Sequence, residues 1–136
     1  MNKKIILSTA IFLLASVAAI FVLASEKPLA AEAKPVLPAP AGQIVLYYGS
    51  TCPHCKDVEA WLETNDVQSK VPYQTKEVYE NIDNSNELVS TAKVCGITDP
   101  KQIMIPFLWT GSNCLIGLPK VEGFFEQKIK DQEAKN

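Results

Sequence analysis

The sequence predicts a small α/β domain, a four-stranded mixed sheet with helices on both faces, in the order β-α-β-α-β-β-α. Three observations predict it. An apolar run at 44–48, of strand length, is followed at once by a helical pattern. Strand and helix signals then alternate down the chain, as they do in α/β proteins. Between the first strand and the first helix stand two cysteines two residues apart, in Cys52-Pro53-His54-Cys55. That is the context of a redox dithiol.

The chain has 136 residues, and composition divides it into three parts. Lys3 and Lys4 precede an uncharged stretch at 5–24, rich in Ile, Leu, Ala, Val and Phe. About 20 apolar residues span a bilayer as a helix, whereas the core of a signal peptide is usually roughly 7–15. Residues 1–24 therefore read as a membrane anchor, with the basic end in the cytoplasm. Val22-Leu23-Ala24 also suits a signal-peptidase cut, which leaves a cleaved signal open. The first reading predicts a single-pass cell-membrane protein with its domain outside the cytoplasm, periplasmic or extracellular. The second predicts a secreted one. Residues 25–42 carry Pro28, Pro35, Pro38 and Pro40 among Ala, Glu and Lys, the composition of a semi-rigid linker. Residues 43–136 form the domain, enough for one modest core.

From Gln43 onward, 9 lysines face 13 acids, and the whole chain has no arginine. A nucleic-acid-binding face rich in Lys and Arg is absent, so nucleic acid is excluded as the expected partner.

Within the domain, 44–48 reads as a buried central strand. Pro53 suits the first helical turn, where its missing N–H is not needed. Cys55, Val58 and Leu62, with Trp61, recur at helical spacing and face the sheet, and the helix ends near Asn65. Residues 73–79 predict the second strand, joined to the first by a right-handed crossover. Asn84 followed by Glu87 predicts the cap of the next helix, which presents Leu88, Ala92 and Cys95 and stops at Gly96. Residues 103–109 and 114–116 predict a hairpin around Thr110-Gly111-Ser112-Asn113. Pro119 opens a last helix with Val121, Phe124, Phe125 and Ile129 on its apolar face.

The chemistry centres on the dithiol. A thiol is a nucleophile only as its thiolate, and a helix N-terminus favours negative charge. Cys52 at that terminus is therefore the exchanging sulfur. Cys55, one turn on, is placed to resolve a mixed disulfide. His54, the only histidine, would add to thiolate stabilisation as a cation or hydrogen-bond donor, and Pro53 stiffens the turn. A zinc site is the bland alternative. It would need two more ligands, and Cys95 and Cys114 are single and widely spaced. A purely structural bridge over so short a loop would add little stability. For Cys95 and Cys114 three states stay open: a second disulfide, two buried thiols, or a relay to Cys52.

The tetrapeptide resembles the active site of the DsbA type of thiol oxidase in the thioredoxin superfamily. Ile105-Pro106, about 50 residues on, is the second matching feature, and Cys95-Gly96-Ile97 is similar to the passage before that proline in thioredoxins. The resemblance implies that Pro106 is cis and that Ile105 presents its backbone to substrate. Only one helix fits between residues 79 and 103, so the body resembles a glutaredoxin in size, a minimal thioredoxin-like three-layer fold. The chain departs from glutaredoxins at His54, where they carry Tyr. It departs again at Gly117-Leu118-Pro119-Lys120, where they carry a Gly-Gly-x-Asp-like stretch for glutathione. The expectation is a tethered, monomeric thiol–disulfide oxidoreductase acting on protein thiols and disulfides, oxidant or isomerase before reductase. It needs no diffusible cofactor and no metal, and a membrane redox partner would reset the pair.

Overall fold

The computed structural model describes residues 35–135. The expected anchor and most of the expected linker lie outside the described residues. Among the described residues no helix is long and apolar enough to cross a membrane.

The domain is a three-layer α/β fold, a four-stranded mixed sheet between helices. Its strands are β1 (Val45–Tyr48), β2 (Gln74–Glu77), β3 (Phe107–Trp109) and β4 (Cys114–Ile116), and its principal helices are α1 (Pro53–Thr64), α3 (Ile82–Val94) and α4 (Leu118–Glu133). The sheet order is β2-β1-β3-β4. β1 runs parallel to β2 and antiparallel to β3, and β3 and β4 form the hairpin. The short α2 (Val67–Lys70) follows α1 directly, a single turn of helix too short to carry a periodic apolar signal. Asp66 there takes φ 48°, reversing the chain so that Val67 and Val71 return to the core.

β1 explains the layering. Its side chains alternate between two apolar layers, as period-2 geometry requires. Leu46 packs with Leu108, Val58, Leu62, Val121 and Phe125 under α1 and α4. Val45 and Tyr47 pack with Phe107, Trp109, Leu88 and Ala92 under α3. Trp61 sits at the margin of the first layer, half-buried.

Three boundaries differ from expectation. α3 is capped by Asn81, whose Oδ1 accepts from the N–H groups of Asp83 and Asn84. Asn84 lies inside the helix and instead donates through Nδ2 to the Glu77 carbonyl, so the helix starts three residues early. β2 stops at Glu77 because that carboxylate takes the next N–H groups into a turn. β3 begins at Phe107. The residues before it follow a 3-10 turn (Pro100–Gln102), and Pro106 has no N–H to give a ladder.

The compact unit reaches back to Pro35, beyond the expected boundary at residue 43. Ala39 is buried against α3, and its N–H donates to Thr91 Oγ1 at 2.8 Å. Trp109 Nε1 donates to the Pro40 carbonyl at 2.9 Å, and Gly42 N–H to the Gly111 carbonyl at 2.9 Å. Thr91 Oγ1 lies 3.3 Å from the Tyr47 hydroxyl, which donates to Glu87 Oε1 at 2.7 Å. Lys76 Nζ closes the network at 2.7 Å from the same carboxylate. Burial first, then the Glu87 bond and charge, push the Tyr47 phenol up, against an opposing Thr91 bond, so it holds its proton as a donor.

Thr91→Val keeps the side chain's shape but orphans the buried Ala39 N–H. It should cost about 1–3 kcal/mol, the scale of one unsatisfied buried donor. Urea unfolding followed by far-UV circular dichroism measures it, and an unshifted midpoint would show that residue 39 is not held by Thr91.

Candidate active site

Cys52 caps α1. Its backbone is extended (φ −79°, ψ 116°), and its sulfur accepts the N–H of Cys55 at 3.3 Å. The Cys52 N–H is tied back to the Gly49 carbonyl at 3.0 Å. The two sulfurs lie 2.6 Å apart with Cys55 Sγ donating to Cys52 Sγ, and both cysteines are free thiols. Cys52 therefore receives two donors from one residue. It is also the outer sulfur, 7% exposed against 1% for Cys55.

Burial pushes the Cys55 thiol up from 9.0 to about 12. Its hydrogen bond to Cys52 acts the same way, the Gly49 backbone opposes it, and the charges of Cys52 and Glu59 add to the rise. Cys55 is thus the proton-holding partner at neutral pH, and Cys52 the sulfur set to accept.

His54 takes a different place from the one expected. Its side chain is 78% exposed, Nδ1 stands 3.9 Å from Asp57 Oδ2, and it forms no hydrogen bond to either sulfur. His54 and Asp57, three residues apart, share one exposed face of α1. Pro53 occupies the first helical turn.

A groove of about 510 Å³ opens at Cys52. Val78, Leu88, Val89, Ile103 and Met104 give it an apolar lining, and Ile105 and Cys52 both lie on it. The Ile105–Pro106 peptide bond is cis. Pro106 is buried, and its carbonyl accepts Gly117 N–H at 2.9 Å. Among the described residues the N–H and C=O of Ile105 pair with no other backbone group.

Sequence reasoning missed Glu77 and Tyr79. The Glu77 carboxylate accepts Ser50 N–H at 3.2 Å and Tyr79 N–H at 2.8 Å on Oε1, and Glu80 N–H at 2.8 Å and Asn81 N–H at 3.3 Å on Oε2. Partial desolvation works to raise its pKa, but these four donors outweigh it and leave the pKa lowered. Ser50 leads into the dithiol, so one carboxylate ties that loop to the turn after β2. Tyr79 follows, its ring against Gly49 at the groove's edge. The only signal in the sequence was an acid and an aromatic at the end of a strand, which any solvated turn can carry.

Cys95 and Cys114 form a disulfide with Cα atoms 6.1 Å apart, joining the C-terminal end of α3 to β4. Register places Cys114 opposite Trp109, and Trp109 opposite Val45. The dithiol follows Tyr48, three residues and roughly 10 Å further along β1. The bridge is therefore at the other end of the sheet. Its sulfurs bind each other, so they do not join Cys52 and Cys55 as zinc ligands.

No protein-family model matches the sequence, and no curated protein matches it. Among solved structures the chain is similar to a buckwheat glutaredoxin crystallised as a glutathione complex. They share 18% identity over 65% of this chain and 73% of that one, with a TM-score of 0.43. It is also similar to oxidised glutaredoxin 2 from Chlamydomonas reinhardtii, with 17% identity over 68% of this chain and 82% of that one and a TM-score of 0.45.

The shifted Cys55 thiol gives a measurable asymmetry. In the reduced protein at pH 7, iodoacetamide should add one label, on Cys52, and leave Cys55 untouched, as read by mass mapping. The linkage has a definite sign. Folding raises the Cys55 pKa, so its contribution to stability is complete below about pH 9 and declines as pH rises toward 12. Equal labelling of both thiols at pH 7 would contradict the assignment.

Proposed function

We propose that the chain is a thiol–disulfide oxidoreductase that exchanges disulfides with protein cysteines through Cys52 and Cys55. The carrying observation is the paired sulfurs at the start of α1, 2.6 Å apart, with the outer one at the mouth of a groove. In the reducing direction, the Cys52 thiolate attacks a substrate disulfide, forms a mixed disulfide and expels one substrate thiolate. Cys55 then gives up its proton and attacks Cys52 Sγ. The Cys52–Cys55 bond forms, the mixed bond breaks, and the second substrate thiolate leaves and is protonated. Two electrons pass from dithiol to substrate, and the reverse sequence oxidises a substrate dithiol.

The oxidant or isomerase direction is the one we favour. Two donors on Cys52 Sγ stabilise the reduced form, and a stabilised reduced form makes the disulfide oxidising. A position outside the cytoplasm is supported by Lys3 and Lys4 before the uncharged stretch at 5–24. It is supported also by the Cys95–Cys114 bridge, since such bonds persist in oxidising compartments. In this reading residues 5–24 tether the domain, the chain works as a monomer, and a membrane redox partner resets the dithiol.

Cys52→Ser should abolish insulin-disulfide reduction, while Cys55→Ser should retain the first step and accumulate mixed disulfides that reductant releases. Equilibration of the wild type in glutathione buffers should give a potential near those of oxidants and isomerases, about −120 to −180 mV. Undiminished turnover in Cys52→Ser would remove the enzymatic reading. A potential near −270 mV would reverse only the direction.

A further inference from the structure

The groove beside Cys52 has no charged side chain on its lining, and two large groups on it stay in solvent, Tyr79 at 57% exposure and Met104 at 60%. Tyr79 is held there from beneath. Its N–H and those of the next two residues are bound by the Glu77 carboxylate, which also holds Ser50 on the approach to Cys52. Its ring lies so close over Gly49 that a Cβ on residue 49 would run into it. The Tyr79 phenol is pushed up, by desolvation first and then by the charges of Cys52, Cys55 and Glu77, which agrees with a ring beside the dithiol.

We propose that Tyr79 is a specificity-determining residue of the Cys52 site, receiving a bulky apolar side chain next to the reacting cysteine of an extended polypeptide, and that Glu77 is its positioning residue. The inference rests on the thiol–disulfide reading above and names the substrate class it leaves open. A small acidic thiol such as glutathione brings two carboxylates, and this lining offers them no cation. An extended chain brings backbone donors and acceptors, and Ile105 on the same groove has both of its own unpaired with backbone. A side chain flanking the substrate cysteine then meets the Tyr79 ring and the Val78 and Met104 side chains, where burying apolar surface favours binding. Glu77 acts through position alone: its four N–H bonds fix the turn from which the ring projects and the loop that delivers Cys52.

The test uses the full chain and two synthetic peptide disulfides that differ only in the residue beside the cysteine, phenylalanine in one and glutamate in the other. The wild type should favour the phenylalanine peptide in kcat/KM. Tyr79→Ala should cut that preference about tenfold, the scale on which an apolar pocket discriminates by a group or two. Tyr79→Phe should keep it, because the ring and not the hydroxyl makes the contact. Glu77→Gln turns an amide N–H₂ toward backbone donors, so it should lose the preference to a similar extent. The pair Glu77→Gln with Tyr79→Ala should lose no more than Tyr79→Ala alone. A Tyr79→Ala enzyme in which both peptides slow equally, leaving the ratio unchanged, would overturn the specificity role. Glu77→Gln with the wild-type ratio would overturn the positioning role. Failure of the wild type to exchange with either peptide would instead remove the thiol–disulfide reading, and this inference with it.

Discussion

The N–H of Cys55 donates to the sulfur of Cys52, and the structure around the site depends on that bond. An α-helix begins with N–H groups that have no partner within the helix, and something must accept from them. Ser, Thr, Asp or Asn usually does so. In α1 a cysteine takes the role, and the group that completes the helix is the sulfur to which the proposed exchange is assigned. The requirement fixes much else. β1 must end before Gly49 for Cys52 to turn outward, and the Cys52 N–H must return to the Gly49 carbonyl. Cys55, Val58 and Leu62 must face the core, which brings Cys55 Sγ beneath Cys52 Sγ. Burial of the inner sulfur and access to the outer one follow from a single helix placement.

The sequence revealed this centre because its signals are local. Two cysteines two residues apart, a proline inside them and a five-residue apolar run before them each act within one turn or one strand. The register of β1 with β2 and β3 was not legible in the same way, because the run 44–48 is apolar on both faces and marks a buried strand without marking its pairing. What stayed hidden depended on partners distant in sequence. Asn81 and Asn84 are equally good caps by residue type. Only the Glu77 carbonyl, seven residues back, takes the Asn84 amide and leaves Asn81 to accept the helix donors. Ala39 looked like part of a proline-rich linker, and its burial depends on Thr91, 52 residues away. His54 could be read only as near the sulfurs in sequence, while helical phase turns its ring to Asp57.

The fold also places two cysteine pairs apart on one small sheet. Thiol–disulfide exchange requires a thiolate to approach a disulfide sulfur directly. The bridge lies in the row of Val45, Trp109 and Cys114, and the dithiol beyond Tyr48. Roughly 10 Å of strand separates them, several times the length of a sulfur–sulfur bond. β1 between them is buried on both faces, and the two pairs stand toward its opposite ends. Passage of a disulfide from one to the other would require β1 or β3 to leave the sheet, against burial of Val45, Leu46, Tyr47, Phe107 and Leu108.

That separation assigns the two ends of the sheet different mechanical tasks. At the Val45 end, the Cys95–Cys114 bridge, the bond from Trp109 to Pro40 and the bond from Ala39 to Thr91 tie α3, β4 and the incoming chain together. At the Tyr48 end the ties are hydrogen bonds centred on one carboxylate, Glu77, and the groups beside them stay in solvent. The proposed exchange forms and releases mixed disulfides, which needs a sulfur that a partner's backbone can approach and surroundings that are not covered. Fastening the remote end with a covalent bond and buried hydrogen bonds holds α3 in place, and α3 supplies Leu88 and Val89 to the groove. The wall of the open site is thereby anchored from the closed end, and Cys52 can remain accessible without the groove beside it losing its shape.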